Sequence, residues 1–207
     1  MTTLMIPRSQ TRRLPDAHDS LRQRLKRDTS RLHMDLDQVV GAADLASKAG
    51  LTRFLIMQRI MLGMLGRHGL GNLAKGTIVE LALRAKFDLH RLSTRLPFQP
   101  NLLSSDLADL HPEAVDYVVL GSRIGAEHLK RRWKTSQDPE VLAARSFMTA
   151  STDTGLWRAC VRDLQGKAAQ GAHADRVVDD ARRLFSGFAQ TASCGAFYEE
   201  TGDDRSC

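Results

Sequence analysis

Aromatic side chains make up only 5% of this 207-residue chain, and there are just three cysteines. So few rings leave little with which to stack on bases, which disfavours nucleic-acid binding despite a formal net charge of +6. Cys160, Cys194 and Cys207 are odd in number and lack metal-site spacing. They argue against a disulfide scaffold and for a reducing, cytoplasmic compartment. No apolar run is long enough for a membrane span: the most apolar stretch, Phe54 to Leu65, is interrupted by Gln58 and Arg59.

Familiar chemical signatures are missing too. There is no phosphate-binding glycine loop, no His-Glu-x-x-His helix, no Cys-x-x-Cys pair and no serine in a nucleophile elbow. Glu80, Asp88 and His90 do not reproduce the paired Glu-x-x-His of a di-iron bundle. An ordinary hydrolase or transferase is therefore disfavoured. The excess of positive charge leaves room for an anionic partner.

Strand-type alternation is lacking, and apolar residues recur at helical spacing almost throughout, so the expected fold class is all-α, a single-domain multi-helix bundle. Residues 1–18, with Arg8, Arg12, Arg13 and two prolines but no apolar core, read as a disordered lead-in rather than a signal peptide. Residues 19–198 read as the helical domain, and 199–207 as a flexible acidic tail. The first helix starts with Asp19 or Ser20 as N-cap and runs to about Val40, with Leu21, Leu25, Leu32, Leu36 and Val39 on its apolar stripe. A second is expected from near Thr52 to an end marked by Gly66 and Gly69, and a third from Asn72 to a loop holding Pro97 and Pro100. A short helical turn follows over Ser105 to Leu110. Pro112 opens a helix that reaches Trp133. Further helices are expected over Glu140 to Met148, from Asp153 or Thr154 through Leu164, and beyond Gly171.

Two segments stand out. On the first helix Lys26, Thr29 and His33 are spaced i, i+3 and i+7, so they project from nearly one side, with a rise of roughly 10 Å between Lys26 and His33. On the helix after Pro112, Gly121 and Gly125 share a face at i, i+4. Glycine inside a helix costs up to about 1 kcal/mol relative to alanine, so this pair suggests close approach of something to the backbone. A clamp for a flat ligand follows if two antiparallel walls carry these segments. Taken alone, a histidine on an amphipathic helix is more often structural, and paired glycines more often mark helix packing.

Taken in order, these segments resemble the heme oxygenase family, and most closely its bacterial biliverdin-producing, bacteriophytochrome-associated members. Leu25 to His33 is similar to the family's Leu-Lys/Arg-x-x-Thr-x-x-x-His helix. Tyr117 to Ala126 is similar to its Tyr-Val-x-x-Gly-Ser-x-x-Gly-Gly helix, with Ala126 where the second glycine usually stands. Arg53 to Leu55, Ser105 to Leu110 and Ala181 to Phe188 resemble three further elements, so the likeness runs over roughly residues 19–190.

The resemblance implies a heme-oxygenase-like bundle with its ligand sandwiched between a proximal and a kinked distal helix. Heme would be both substrate and cofactor, with its iron held by His33. Lys26 would meet a propionate, and Thr29 and Ala126 would contact heme. Gly121, Ser122 and Gly125 would form the reacting side, where Ser122 orders water. Arg162 or Lys167 would offer a second propionate contact. Products would be biliverdin, ferrous iron and carbon monoxide. Electrons would come from a separate ferredoxin, flavodoxin or reductase, and a phytochrome would be a recipient of biliverdin. Two other readings stay open: a non-catalytic heme- or bilin-binding or regulatory protein of the same fold, and a helical interaction module without cofactor.

Overall fold

The computed structural model describes residues 19–68, 70–94, 107 and 109–194, and among these the chain is all-helical, with eight α-helices and no strand. The lead-in 1–18, Pro97 and Pro100, most of the turn expected from Ser105, and the tail 199–207 lie outside the described residues. No described helix is long and apolar enough to cross a membrane.

Helix α1 spans Leu21–Ala42 and begins on a full capping box: the Ser20 hydroxyl accepts the Gln23 N–H while the Gln23 side chain accepts the Ser20 N–H. Helix α2, Lys48–Arg67, starts four residues before the expected Thr52, because the Ser47 hydroxyl caps it by accepting the Gly50 N–H. Helix α3 covers Lys75–Arg91. Its start is held from a distance: the buried Asp116 carboxylate accepts the N–H groups of Asn72, Leu73 and Ala74. The turn before it needs Gly71, whose φ of +87° favours glycine and whose Cα lies so close to Asp116 and Val115 that an added Cβ would be crowded at 3.1–3.2 Å.

The helix expected from Pro112 to Trp133 is two helices. α4, Pro112–Ile124, ends at Gly125, and α5, Ala126–Trp133, begins immediately after it. α6 is only Pro139–Ala143, not the stretch to Met148 that periodicity suggested. The backbone beyond it is drawn away by Asp88, whose carboxylate accepts the N–H groups of Ser146 and Phe147, and by Arg84, which donates to the Ser146 carbonyl. α7 spans Thr154–Gln165, capped by Asp153, and α8 spans Ala172–Cys194.

Helix α8 is the hub, packing against α1, α2 and α4, while α3 lies on α2 and α7 covers α4 and part of α1. Its core face (Val177, Val178, Ala181, Leu184, Phe185 and Phe188) is buried as the spacing predicts. Contacts along α1 and α8 advance together: Arg24 pairs with Asp175, Arg182 with Asp28, and the His33 ring meets Phe185. The two helices therefore run parallel. Met57, Met61 and Met64 are buried in the core of α2, consistent with methionine filling irregular space.

Candidate functional site

Burial along α1 changes abruptly after Thr29. Leu21, Leu25 and Thr29 are fully buried, whereas the rest of the apolar stripe, Leu32, Leu36, Val39 and Val40, is only half-covered. The neighbouring helix pair accounts for this. At one end the Tyr117 hydroxyl of α4 lies against Thr29, with the Arg22 guanidinium nearby. Burial pushes the Tyr117 phenol above its ordinary range, and those two neighbours only partly offset it. At the other end Arg132 of α5 donates to the carbonyls of Gly41 and Ala43, at 2.8 and 2.5 Å, and so caps the end of α1. Arg132 thus ties α5 to α1. Between the ties α1 has no extended packing contact with α4 or α5. The ties also fix direction: position numbers rise together on both walls, so the walls are parallel, not antiparallel.

His33 stands on the α1 face that also carries Arg22 and Thr29, the residues turned toward Tyr117. Its side chain is 51% exposed, its ring edge packs on Phe185 at a centroid distance of 5.4 Å, and its Nδ1 lies 3.0 Å from Oδ2 of Asp37. With Nδ1 engaged, Nε2 is the nitrogen left to bind a metal. Lys26 is exposed and forms no ion pair among the described residues. Thr29 differs from the expected ligand contact: it is 2% exposed, and its hydroxyl donates to the Leu25 carbonyl at 2.7 Å. The hundred-degree helical step explains this, since Thr29 is turned about 60° from Lys26 toward the core.

On the opposite wall the two glycines have different surroundings. A Cβ on Gly121 would meet the Trp157 indole at 3.4 Å, so its bare face is already covered by α7. A Cβ on Gly125 would find only the Ser122 carbonyl at 3.7 Å, so here the backbone is open. Ser122 is exposed, and its hydroxyl donates to the Val119 carbonyl at 2.8 Å, leaving its lone pairs free to accept. Ala126, the first residue of α5, is half-buried. Arg162 is exposed, and Lys167 is engaged by Glu113 and Asp163.

Three contributors were not singled out by sequence reasoning. Asp37 could have been found, because it stands at i+4 from His33. Arg123 is 8% exposed, donates to the Ala150 carbonyl and lies over the Phe147 ring, which braces the helix break; burial lowers its affinity for a proton. Arg132 was hidden in a basic run. No protein-family model matches the chain, nor does any curated protein.

Proposed function

We propose that this protein is a heme oxygenase that binds heme between α1 and the α4–α5 pair. The observation that carries the reading is the His33–Asp37 contact on the half-covered stretch of α1. A carboxylate on Nδ1 fixes the imidazole tautomer and leaves Nε2 for iron.

The donor set suits the group. Leu32, Leu36, Val39 and Val40 offer apolar surface to a macrocycle, and the open backbone at Gly125 lets it approach the opposite wall. Lys26, with Arg22 one turn before it, gives the anionic propionates a cationic partner and so fixes the in-plane rotation of heme. Heme bound there supplies the iron at which dioxygen is reduced and is itself cleaved to biliverdin, ferrous iron and carbon monoxide. Ser122 holds water beside the open backbone of Gly125. Gly121 acts one step removed, by seating Trp157 and fixing the course of α4 before the break. Electrons come from a separate cytoplasmic donor, a ferredoxin, flavodoxin or reductase, and biliverdin passes to an acceptor such as a phytochrome.

Titration of the purified protein with hemin, followed by ascorbate or a reductase under air, tests this. A Soret band that decays into a biliverdin spectrum is expected. A stable band would mean a heme carrier instead, and no band would end the reading.

A further inference from the structure

The N-terminal ends of α4 and α8 meet at a second cluster that the heme reading does not use. His111 is the N-cap of α4, Glu113 lies in its first turn, and His173 lies in the first turn of α8. One ligand atom from each falls within 4.8 Å of the others. The two imidazole rings meet edge to face, 5.0 Å apart at 83°. His173 Nε2 lies 3.3 Å from Glu113 Oε2. At zinc–ligand distances near 2.0–2.1 Å, adjacent ligands of a tetrahedral ion are about 3.4 Å apart, so this pair already has the separation that such an ion requires.

The state of Glu113 adds an independent pointer. Its Oε1 accepts from Lys167 Nζ at 2.8 Å, which fixes the carboxylate. Its Oε2 is sealed from solvent and accepts no hydrogen bond among the described residues. Such an oxygen is costly unless a cation completes it, and the candidates are a protonated His173, 3.3 Å away, or a metal ion between the two. Lys167 does not crowd such a cation with uncompensated charge, since Asp163 pairs with it from the other side. The His111 backbone is anchored by its N–H bond to Asp180 at 2.8 Å. Its ring Nδ1 holds only a 3.3 Å bond from the Glu113 N–H, a weak cap that a metal bond could replace by ring rotation.

We infer that His111, Glu113 and His173 form a site for a divalent transition metal of the zinc class. Two imidazoles and one carboxylate are a set suited to zinc, with water in the fourth position. The ion fastens the start of α4 to the start of α8 and steadies both helices. Gly125 is twelve residues along α4 from Glu113, roughly 18 Å away, so this site stands whether or not heme binds the protein.

Metal-free full-length protein titrated with Zn²⁺, followed by calorimetry, and with Co²⁺, followed by its visible d–d bands, tests the assignment. Wild type is expected to take up one equivalent at this site, to show four-coordinate Co²⁺ bands and to melt at a higher temperature with zinc. His173→Gln and, separately, Glu113→Gln should each weaken Zn²⁺ binding at least tenfold and remove the Co²⁺ bands. Failure of wild type to bind, or unchanged binding and bands in both variants, would overturn the site and leave the cluster an ion pair alone.

Discussion

Nδ1 of His33 lies 3.0 Å from Oδ2 of Asp37, one helical turn further along α1. A surface histidine and aspartate at this spacing commonly form a weak pair worth a few tenths of a kcal/mol. Here the pair falls where α1 loses its cover, and the ring rests on the core residue Phe185. The same contact that contributes little to stability defines which nitrogen is free.

Asp37→Asn keeps the size of the side chain but removes the charge that polarises the imidazole. Hemin affinity should fall about 10–100-fold, with the melting temperature almost unchanged. Fluorescence quenching titration with hemin measures the first, and thermal denaturation the second. Unaltered affinity would remove Asp37 from the site.

The two glycines should respond differently to the same enlargement. Gly121→Leu has to displace Trp157 and should destabilise the fold by about 1–3 kcal/mol. Gly125→Leu enters open space and should leave stability nearly intact while reducing hemin binding at least tenfold. Urea denaturation and hemin titration of the two variants separate the effects, and identical behaviour would mean that the glycines share one role.

Removing the Asp116 carboxylate strands three N–H groups at the start of α3, two of them part-buried and that of Ala74 buried. Asp116→Ala should cost about 2–4 kcal/mol, read from urea midpoints at constant slope. A loss below 1 kcal/mol would show that water satisfies those groups.

Burial pushes the Cys160 thiol up to about 12, with Asp116, Asp163 and Glu113 adding to the effect and Lys167 opposing it. The thiol ionises near 9 once unfolded, so its contribution to native stability is intact below pH 9 and is lost progressively between pH 9 and about 12. In a Cys194→Ser, Cys207→Ser background, a thiol reagent at pH 8 should label native protein far more slowly than unfolded protein. Rapid labelling of the native state would contradict this.

Local rules made much of the helical fold legible: the capping box at Ser20, Pro112 at the start of α4 and the core spacing of α8 all act within a few residues. What escaped was decided across long sequence separations. Asp88 ends α6 early from 58 residues away, and Asp116 caps α3 from more than 40. Glycine spacing showed that α4 has a bare face, but not that Trp157 covers it at Gly121. Likewise nothing local announces that His173 will meet His111, since only the packing of α8 on α4 brings them together.

The most direct test of the central claim is the absorption spectrum of the hemin complex of wild type beside His33→Ala, with and without added imidazole. The heme reading predicts a histidine-ligated spectrum in wild type, its loss in His33→Ala, and its return when imidazole fills the vacated position. A histidine-type spectrum that survives in His33→Ala without imidazole would contradict it.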